Sequence, residues 1–425
     1  MLLCGVFVDP HTAAVARQRT NNVHETASEA SSCAVGNNKT CREDDMRRLS
    51  FGLIPAGIGL IAATLLSIPA LAVDPIKIGL VNETTGPNAE AGSYTVNGTK
   101  LAVEEINAKG GILGRQIELR IEDNQSTNPG TVLAYSKLTG EGGITAIVGP
   151  IRSTQIQAAS PTIQKGGIPA LVGGTDPSLT KVNNPWIFRV RPNDSYSSRV
   201  IADFGVNSLQ LKKWAIVHST DAFGSGGMKA LTAALQSYGV TPVLIQGYTN
   251  NSQDYTPIVL AIKKSGADVL ATYMTNSADL GIFAKQLRQL GVGIPWVGSP
   301  SIVTDTAMKL AGPALFGTYA VADFTPGSGA EAKAYAEKYK GKYKLDPDVY
   351  SSWAYDAIYV LKNAIESAKS TEPEKVRAAI LAICGWKGVE GLYCFDKNGD
   401  GLHGYNVVRN ENGRVTYLKH IDFKD

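Results

Sequence analysis

Cysteine and histidine are scarce, five of each in 425 residues. Cys4, Cys33 and Cys41 precede an apolar run, leaving Cys384 and Cys394 after it. The histidines beyond the run, His218, His403 and His420, never fall at metal-ligand spacing with a cysteine or with each other. That pattern excludes a zinc site built from neighbouring thiolates and imidazoles. Also missing are the G-x-S-x-G elbow of a serine hydrolase and the G-x-x-x-x-G-K-[ST] loop that cradles phosphates. No catalytic residue, metal or cofactor is therefore expected. A surplus of either charge is absent too: 41 Lys and Arg stand against 38 Asp and Glu, which gives no footprint for a nucleic-acid partner.

The apolar run itself is "MRRLSFGLIPAGIGLIAATLLSIPALA", residues 46–72. Arg47 and Arg48 make a basic start, an apolar stretch follows, and Ala70-x-Ala72 has the small-residue exit of a cleaved secretory signal. A retained membrane anchor is the competing reading, but Pro55 and the Gly- and Ala-rich composition favour removal. The expected mature chain begins at Val73 in the periplasm, and the polar, patternless residues 1–45 are read as a non-native or disordered extension. In an oxidising compartment Cys384 and Cys394 could close the loop "CGWKGVEGLYC"; two unpaired thiols are the alternative.

Beyond the run, short apolar stretches alternate with helical patterns: "IKIGLV", a helix over about 92–108, "QIELRIED", a helix near 129–140, "ITAIVG", another helix, "IPALVG". After "NPWIFRVRPNDSYSSRV" the rhythm restarts through "KKWAIVHS", a helix over 226–238, "VTPVLIQGY", "ADVLATYM" and "IPWVGS". Strands alternating with helices predict parallel sheets in two α/β units. Ligands of open parallel sheets bind beyond the carboxyl ends of the strands. The loops there, among them "GPIRST", "GGTDPS", "STDAFGSGG" and "YMTNSAD", are rich in hydrogen-bonding residues.

In "GPIRSTQIQAAS" the hydroxyls of Ser153 and Thr154 could cap the following helix. Capping is the commoner use; the sharper reading adds the helix N–H groups to make an anion site. "DKNGDG", residues 396–401, imitates the start of a calcium loop, but its twelfth position is Val407 where a carboxylate is required, so a polar turn is expected.

The run "IKIGLVNETTGPNAEAGSYTVNGTKLAVEEINAKGGILGRQIELRIEDNQSTNP", followed by "IVGPIRSTQIQAASP", "IPALVGGTDPSLT" and "FRVRPND", resembles the leucine/isoleucine/valine-binding proteins of bacterial ABC importers. These are type I periplasmic binding proteins, and the similarity spans essentially all of the mature chain. The resemblance implies two Rossmann-like lobes with parallel-type sheets, joined by three crossovers near Asn193, Asp323 and Leu402. The first lobe would hold 73–193 and 324–402, the second 194–323 and 403–425. It also implies a monomer that captures a small carboxylate-bearing solute, of branched-chain amino-acid type, and delivers it to a permease and ATPase complex at the inner membrane.

By position, Ser153 matches the hydroxyl that binds an amino-acid carboxylate, with Thr154 beside it; the Ser-Thr pair then does both jobs, capping the helix while turning donors toward a carboxylate. Gly173, Gly174 and Thr175 match the segment that takes the carboxylate and amino group. Phe223 falls at an aromatic wall position, and Tyr273 lies close to another. The chain departs from the family at Ala91, where an aromatic is usual, and at residues 299–301, where the acid that pairs with the substrate ammonium has no counterpart. An unpaired buried ammonium is costly. Asp221 and Asp323, and less so Glu83, are the candidate replacements. A carboxylate or amide solute without an ammonium stays open, as does a sensory role for the same clamshell. Trp353 and Tyr355 follow helical spacing and are expected in the core.

Overall fold

The computed structural model describes residues 74–423. The expected signal segment, and the extension before it, lie outside these described residues. In chain order the first lobe opens with β1 (Ile76–Asn82), α1 (Ala89–Ala108), β2 (Ile117–Asp123), α2 (Asn128–Glu141), β3 (Ile144–Val148), α3 (Ser153–Gly166), β4 (Ala170–Val172) and β5 (Ile187–Arg189). The second lobe follows with α4 (Asp194–Asp203), β6 (Trp214–Ser219), α5 (Ala222–Ser237), β7 (Leu244–Tyr248), α6 (Thr256–Ser265), β8 (Val269–Tyr273), α7 (Ser277–Gln289), β9 (Trp296–Gly298), α8 (Asp305–Ala311) and β10 (Tyr319–Ala322). The chain returns for α9 (Ala330–Tyr343), α10 (Val349–Ala368), α11 (Pro373–Leu381), β11 (Cys384–Lys387) and β12 (Leu392–Cys394). It crosses a last time into β13 (Gly404–Glu411) and β14 (Arg414–Asp422).

Strand β1 reads IKIGLVN and is buried along nearly its whole length, as a strand covered by helices on both faces must be. Its sheet runs β2-β1-β3-β4-β5, all parallel. The second sheet runs β7-β6-β8-β9-β10-β13-β14. It is parallel as far as β10, and then β13 and β14 add an antiparallel edge. Each sheet carries apolar cores on both faces. Trp353 and Tyr355 of α10 lie in the first-lobe core, as their spacing predicts.

Helix α5 begins four residues earlier than the sequence pattern suggests. Asp221 caps it, its carboxylate accepting from the Gly224 N–H at 2.9 Å. The glycines of its first turns are there for close approach. A Cβ at Gly224 would stand 2.1 Å from the Ser219 carbonyl oxygen, and one at Gly227 2.1 Å from the Tyr273 ring.

Cys384 and Cys394 are disulfide-bonded across the β11–β12 pair. In "DKNGDG", Asp396 accepts from the N–H groups of Asn398 and Asp400, making the expected turn. Asp400 is spent on a buried ion pair with Arg189 at 2.7 Å. Residues 399–404 also spell G-x-G-x-x-G. Here that spacing leads into β13, so no helix N-terminus stands behind it to meet a phosphate.

Three fully buried carboxyls give the fold a pH signature. Burial pushes Asp194, Asp348 and Asp356 up to about 7 each, against the hydrogen bonds they accept. An unfolded aspartate titrates near pH ~4. The folded chain therefore binds more protons, and the stability these groups contribute, full below about pH 4, is lost as pH rises through 7. Carboxylates shifted the other way, such as Asp123, held at about 2 despite some burial by bonds from Thr85 and Gln125, matter only in acid, while His420, lowered by burial, opposes the trend near pH ~6 as one group against three. The unliganded melting temperature is expected to be higher at pH 5.5 than at pH 8; scanning calorimetry showing the reverse order would contradict this assignment.

Candidate functional site

In both sheets neighbouring strands run off to opposite sides of a central pair, β1 and β3 in the first, β6 and β8 in the second. Such switch points leave a crevice beyond the strand carboxyl ends. The loops from these ends meet over a small, nearly closed cavity. Its first-lobe wall comes from Ile151–Thr154 after β3, Thr175 after β4, Arg191 after β5, and Val349 and Tyr350 at the start of α10. The second lobe contributes Asp221 and Phe223 after β6, Thr275 after β8, and Pro300, Ser301 and Thr304 after β9.

The hydrogen-bonding polarity of these walls is defined by what stands behind them. Ser153 does not cap α3. Its hydroxyl oxygen accepts from the Asp176 N–H at 3.2 Å, which leaves its own proton free to donate. Thr154 accepts from the Ala222 N–H of the opposite lobe at 3.1 Å and likewise keeps its proton. The first-turn N–H groups of α3, for which a helix has no internal acceptor, add further donors. Thr175 is the reverse case. Its hydroxyl donates to Asp194 at 2.9 Å, so toward the cleft it offers only lone pairs.

Both cleft arginines are neutralised from behind. Arg152 meets both oxygens of Glu83 at 3.3 Å, reaches across the cleft to the Thr275 carbonyl at 2.8 Å, and stands 5.6 Å over the Tyr350 ring. Arg191 pairs closely with Asp323 and donates to the Gly173 carbonyl at 2.9 Å. Burial disfavours both charges, yet the neighbouring carboxylates outweigh it and hold the guanidiniums charged. Asp221 is the acid of the lining. It accepts from Gly224, from Ser219 at 3.0 Å and from Asn250 at 2.6 Å, so of the roughly four acceptor sites of a carboxylate one is left.

Of the residues expected at the site, Ser153, Thr154, Thr175, Asp221 and Phe223 line the cleft together. Four others do not. Tyr273 is wholly buried in the second-lobe core, its hydroxyl 2.8 Å from those of Ser197 and Ser198, because α5 packs over it through Gly227. Gly173 and Gly174 lie behind the wall, with their carbonyls taken by Arg191 and Arg189. Asp323 is paired with Arg191, and Glu83 with Arg152 and with Gln155 at 3.0 Å; neither is among the cleft-lining residues, and the second Asp323 oxygen is buried without a hydrogen-bond partner. Phe223 stands in the first turn of α5, edge-on to Tyr273, and not in a loop.

Arg152, Arg191, Thr275 and Tyr350 are among the lining residues the sequence pattern missed, with Ile151, Pro300, Ser301, Thr304 and Val349 beside them. One signal was available for Arg191. In "IFRVRP" two arginines alternate within a strand-like run, and cations in a buried strand demand carboxylates.

Two α/β lobes whose strand-end loops close on a small polar cavity with an apolar flank define a two-lobed solute-binding protein. The chain belongs to the Periplasmic binding protein family, which it matches over residues 75–414. It is similar to the Leu/Ile/Val-binding protein BraC3 of Rhizobium johnstonii, 30% identical over 321 residues that cover 74% of this chain and 86% of that one. It is similar also to an amino acid binding protein of Pseudomonas aeruginosa, 29% identical over 81% of this chain and 92% of the relative. Among solved structures it resembles the branched-chain amino acid transporter substrate binding protein LivJ of Streptococcus pneumoniae in complex with isoleucine. That match has a TM-score of 0.76 and 25% identity over 82% of this chain and 99% of the other.

Proposed function

We propose that the protein captures a small α-amino acid with an aliphatic side chain in the periplasm and delivers it to the permease and ATPase of an ABC importer. The observation that carries this reading is the split polarity of the cleft. Donors cluster at Ser153, Thr154 and the start of α3, where a carboxylate fits. Acceptors stand at Thr175 and Asp221, where an ammonium fits. Ile151, Phe223, Pro300, Val349 and Tyr350 supply an apolar flank for the side chain. The similarity to Leu/Ile/Val-binding relatives supports the same ligand class.

A second reading, an ammonium-free carboxylate, draws on the two cleft arginines and on the lack of an acid at residues 299–301. Calorimetric titration with L-leucine, L-valine, leucinamide and 4-methylpentanoate separates the two. L-leucine or L-valine is expected to bind. Removing the ammonium should then weaken binding by about tenfold or more, since hydrogen bonds to charged groups contribute roughly 1.5–3 kcal/mol. If 4-methylpentanoate binds as tightly as L-leucine, the acceptor role of Thr175 and Asp221 is wrong and the second reading stands.

A further inference from the structure

Away from the solute cavity the lobes touch at another place. Asp348 ends the segment that returns to the first lobe and caps α10, accepting from the Tyr350 N–H at 2.9 Å. Its other carboxylate oxygen accepts from the N–H of Asp305, in the second lobe, at 3.0 Å. The Asp305 side chain points back the other way. It accepts from the Tyr94 hydroxyl of α1 and is steadied by Lys309 at 2.5 Å. Tyr94 is itself held in the first-lobe core, stacked on Tyr339. One residue of the second lobe thus makes reciprocal bonds to two anchored residues of the first, one through its backbone and one through its side chain. Tyr94, Asp305 and Asp348 are not among the residues that line the solute cavity. They stand behind Pro300 and Val349, which that cavity shares with a neighbouring cavity walled by Asp305 and Asp348.

We propose that Tyr94, Asp305 and Asp348 form a closing clasp that keeps part of the population closed without solute, and so sets solute affinity from outside the binding cavity. The proposal rests on the two-lobed binding reading but not on the identity of the solute. Apparent affinity scales with the fraction of molecules already competent to bind, so weakening the clasp lowers affinity without altering a ligand contact.

The test uses the full chain with Cys4, Cys33 and Cys41 replaced by serine and spin labels at Lys100→Cys and Lys285→Cys, exposed positions of opposite lobes. Pulsed electron resonance on the unliganded protein is expected to show a short-distance population beside a longer one. Tyr94→Phe keeps the ring and loses only the hydroxyl. It should lower the ratio of short to long about fivefold, the factor for one hydrogen bond of ordinary strength. Asp305→Ala should lower it at least as far, with a somewhat lower melting temperature because the Lys309 pair and the acceptor of the buried Tyr94 hydroxyl are lost too. With L-leucine as the probe, both variants should dissociate faster while their cavity stays intact. A wild-type protein with only the long distance, or a Tyr94→Phe distribution identical to wild type, overturns the clasp. Failure of L-leucine to bind would instead count against the proposed solute and leave the distance result decisive.

Discussion

Asp323→Ala is expected to cost about 3–5 kcal/mol of folding stability, the penalty for leaving a buried guanidinium without its partner. Arg191 and Asp323 sit between the lobes with side chains 8% and 0% exposed. Nearby Glu390 moderates the loss. Burial and the Asp323 charge hold its carboxyl well above the usual range, and Arg191 pulls in the opposite sense. Without Asp323, Glu390 can ionise and face Arg191 itself. The single variant should therefore fall at the low end of the range, and Asp323→Ala combined with Glu390→Gln should lose more than the two singles added together. Replacing both partners, Arg191→Met with Asp323→Leu, should recover much of the stability while changing the cleft wall. Urea unfolding of these four variants beside the wild type decides the matter. A single variant within 1 kcal/mol of wild type, with Glu390 intact or not, would show that the pair is not the buried ion pair described.

Ser153→Ala is expected to weaken L-leucine binding by roughly ten- to a hundredfold, the loss of one charge-assisted hydrogen bond of about 1.5–3 kcal/mol. Because the Ser153 oxygen does not cap α3 but holds the Asp176 N–H, the same change should also cost about 1 kcal/mol of unliganded stability. The two effects are separable. Binding of leucinamide, which lacks the carboxylate charge, should respond far less to the substitution. Thr175→Val should weaken binding from the ammonium side, so its effect should disappear with 4-methylpentanoate. An unchanged leucine affinity for Ser153→Ala, with a lowered melting temperature, would reduce Ser153 to a structural residue.

Much of the architecture is legible along the chain. Runs such as "IKIGLV", "ITAIVG" and "ADVLATYM" are strands β1, β3 and β8, because apolar stretches that short, rich in β-branched residues and bounded by turn residues, fit a sheet covered on both faces better than a helix. The segments beyond the strand ends hold Ser153 and Thr154 after β3, Thr175 after β4, and Asp221 and Phe223 after β6, since the carboxyl ends of parallel strands border the crevice. Where the pattern misleads, a contact distant in sequence is responsible. Gly224 reads as loop yet is helical, and it and Gly227 are glycines because Ser219 and the Tyr273 ring leave no room for a side chain. Tyr273 ends a strand near the cleft, yet its ring turns into the core toward Ser197 and Ser198.

What the sequence determined by itself, then, is the alternation of strands and helices, the restart that divides it into two α/β units, and the loops that border the cleft. These follow from local hydrophobic period and turn chemistry, which act over a few residues. Only the tertiary structure decided which hydroxyl donates and which accepts, and which acid remains for a ligand. Ser153 is a donor because of Asp176, Thr175 an acceptor because of Asp194, and Asp323 is paired with Arg191, 132 residues away in the chain. A side chain's remaining hydrogen-bonding capacity is what its partners leave it, and those partners are chosen by packing, not by sequence neighbourhood.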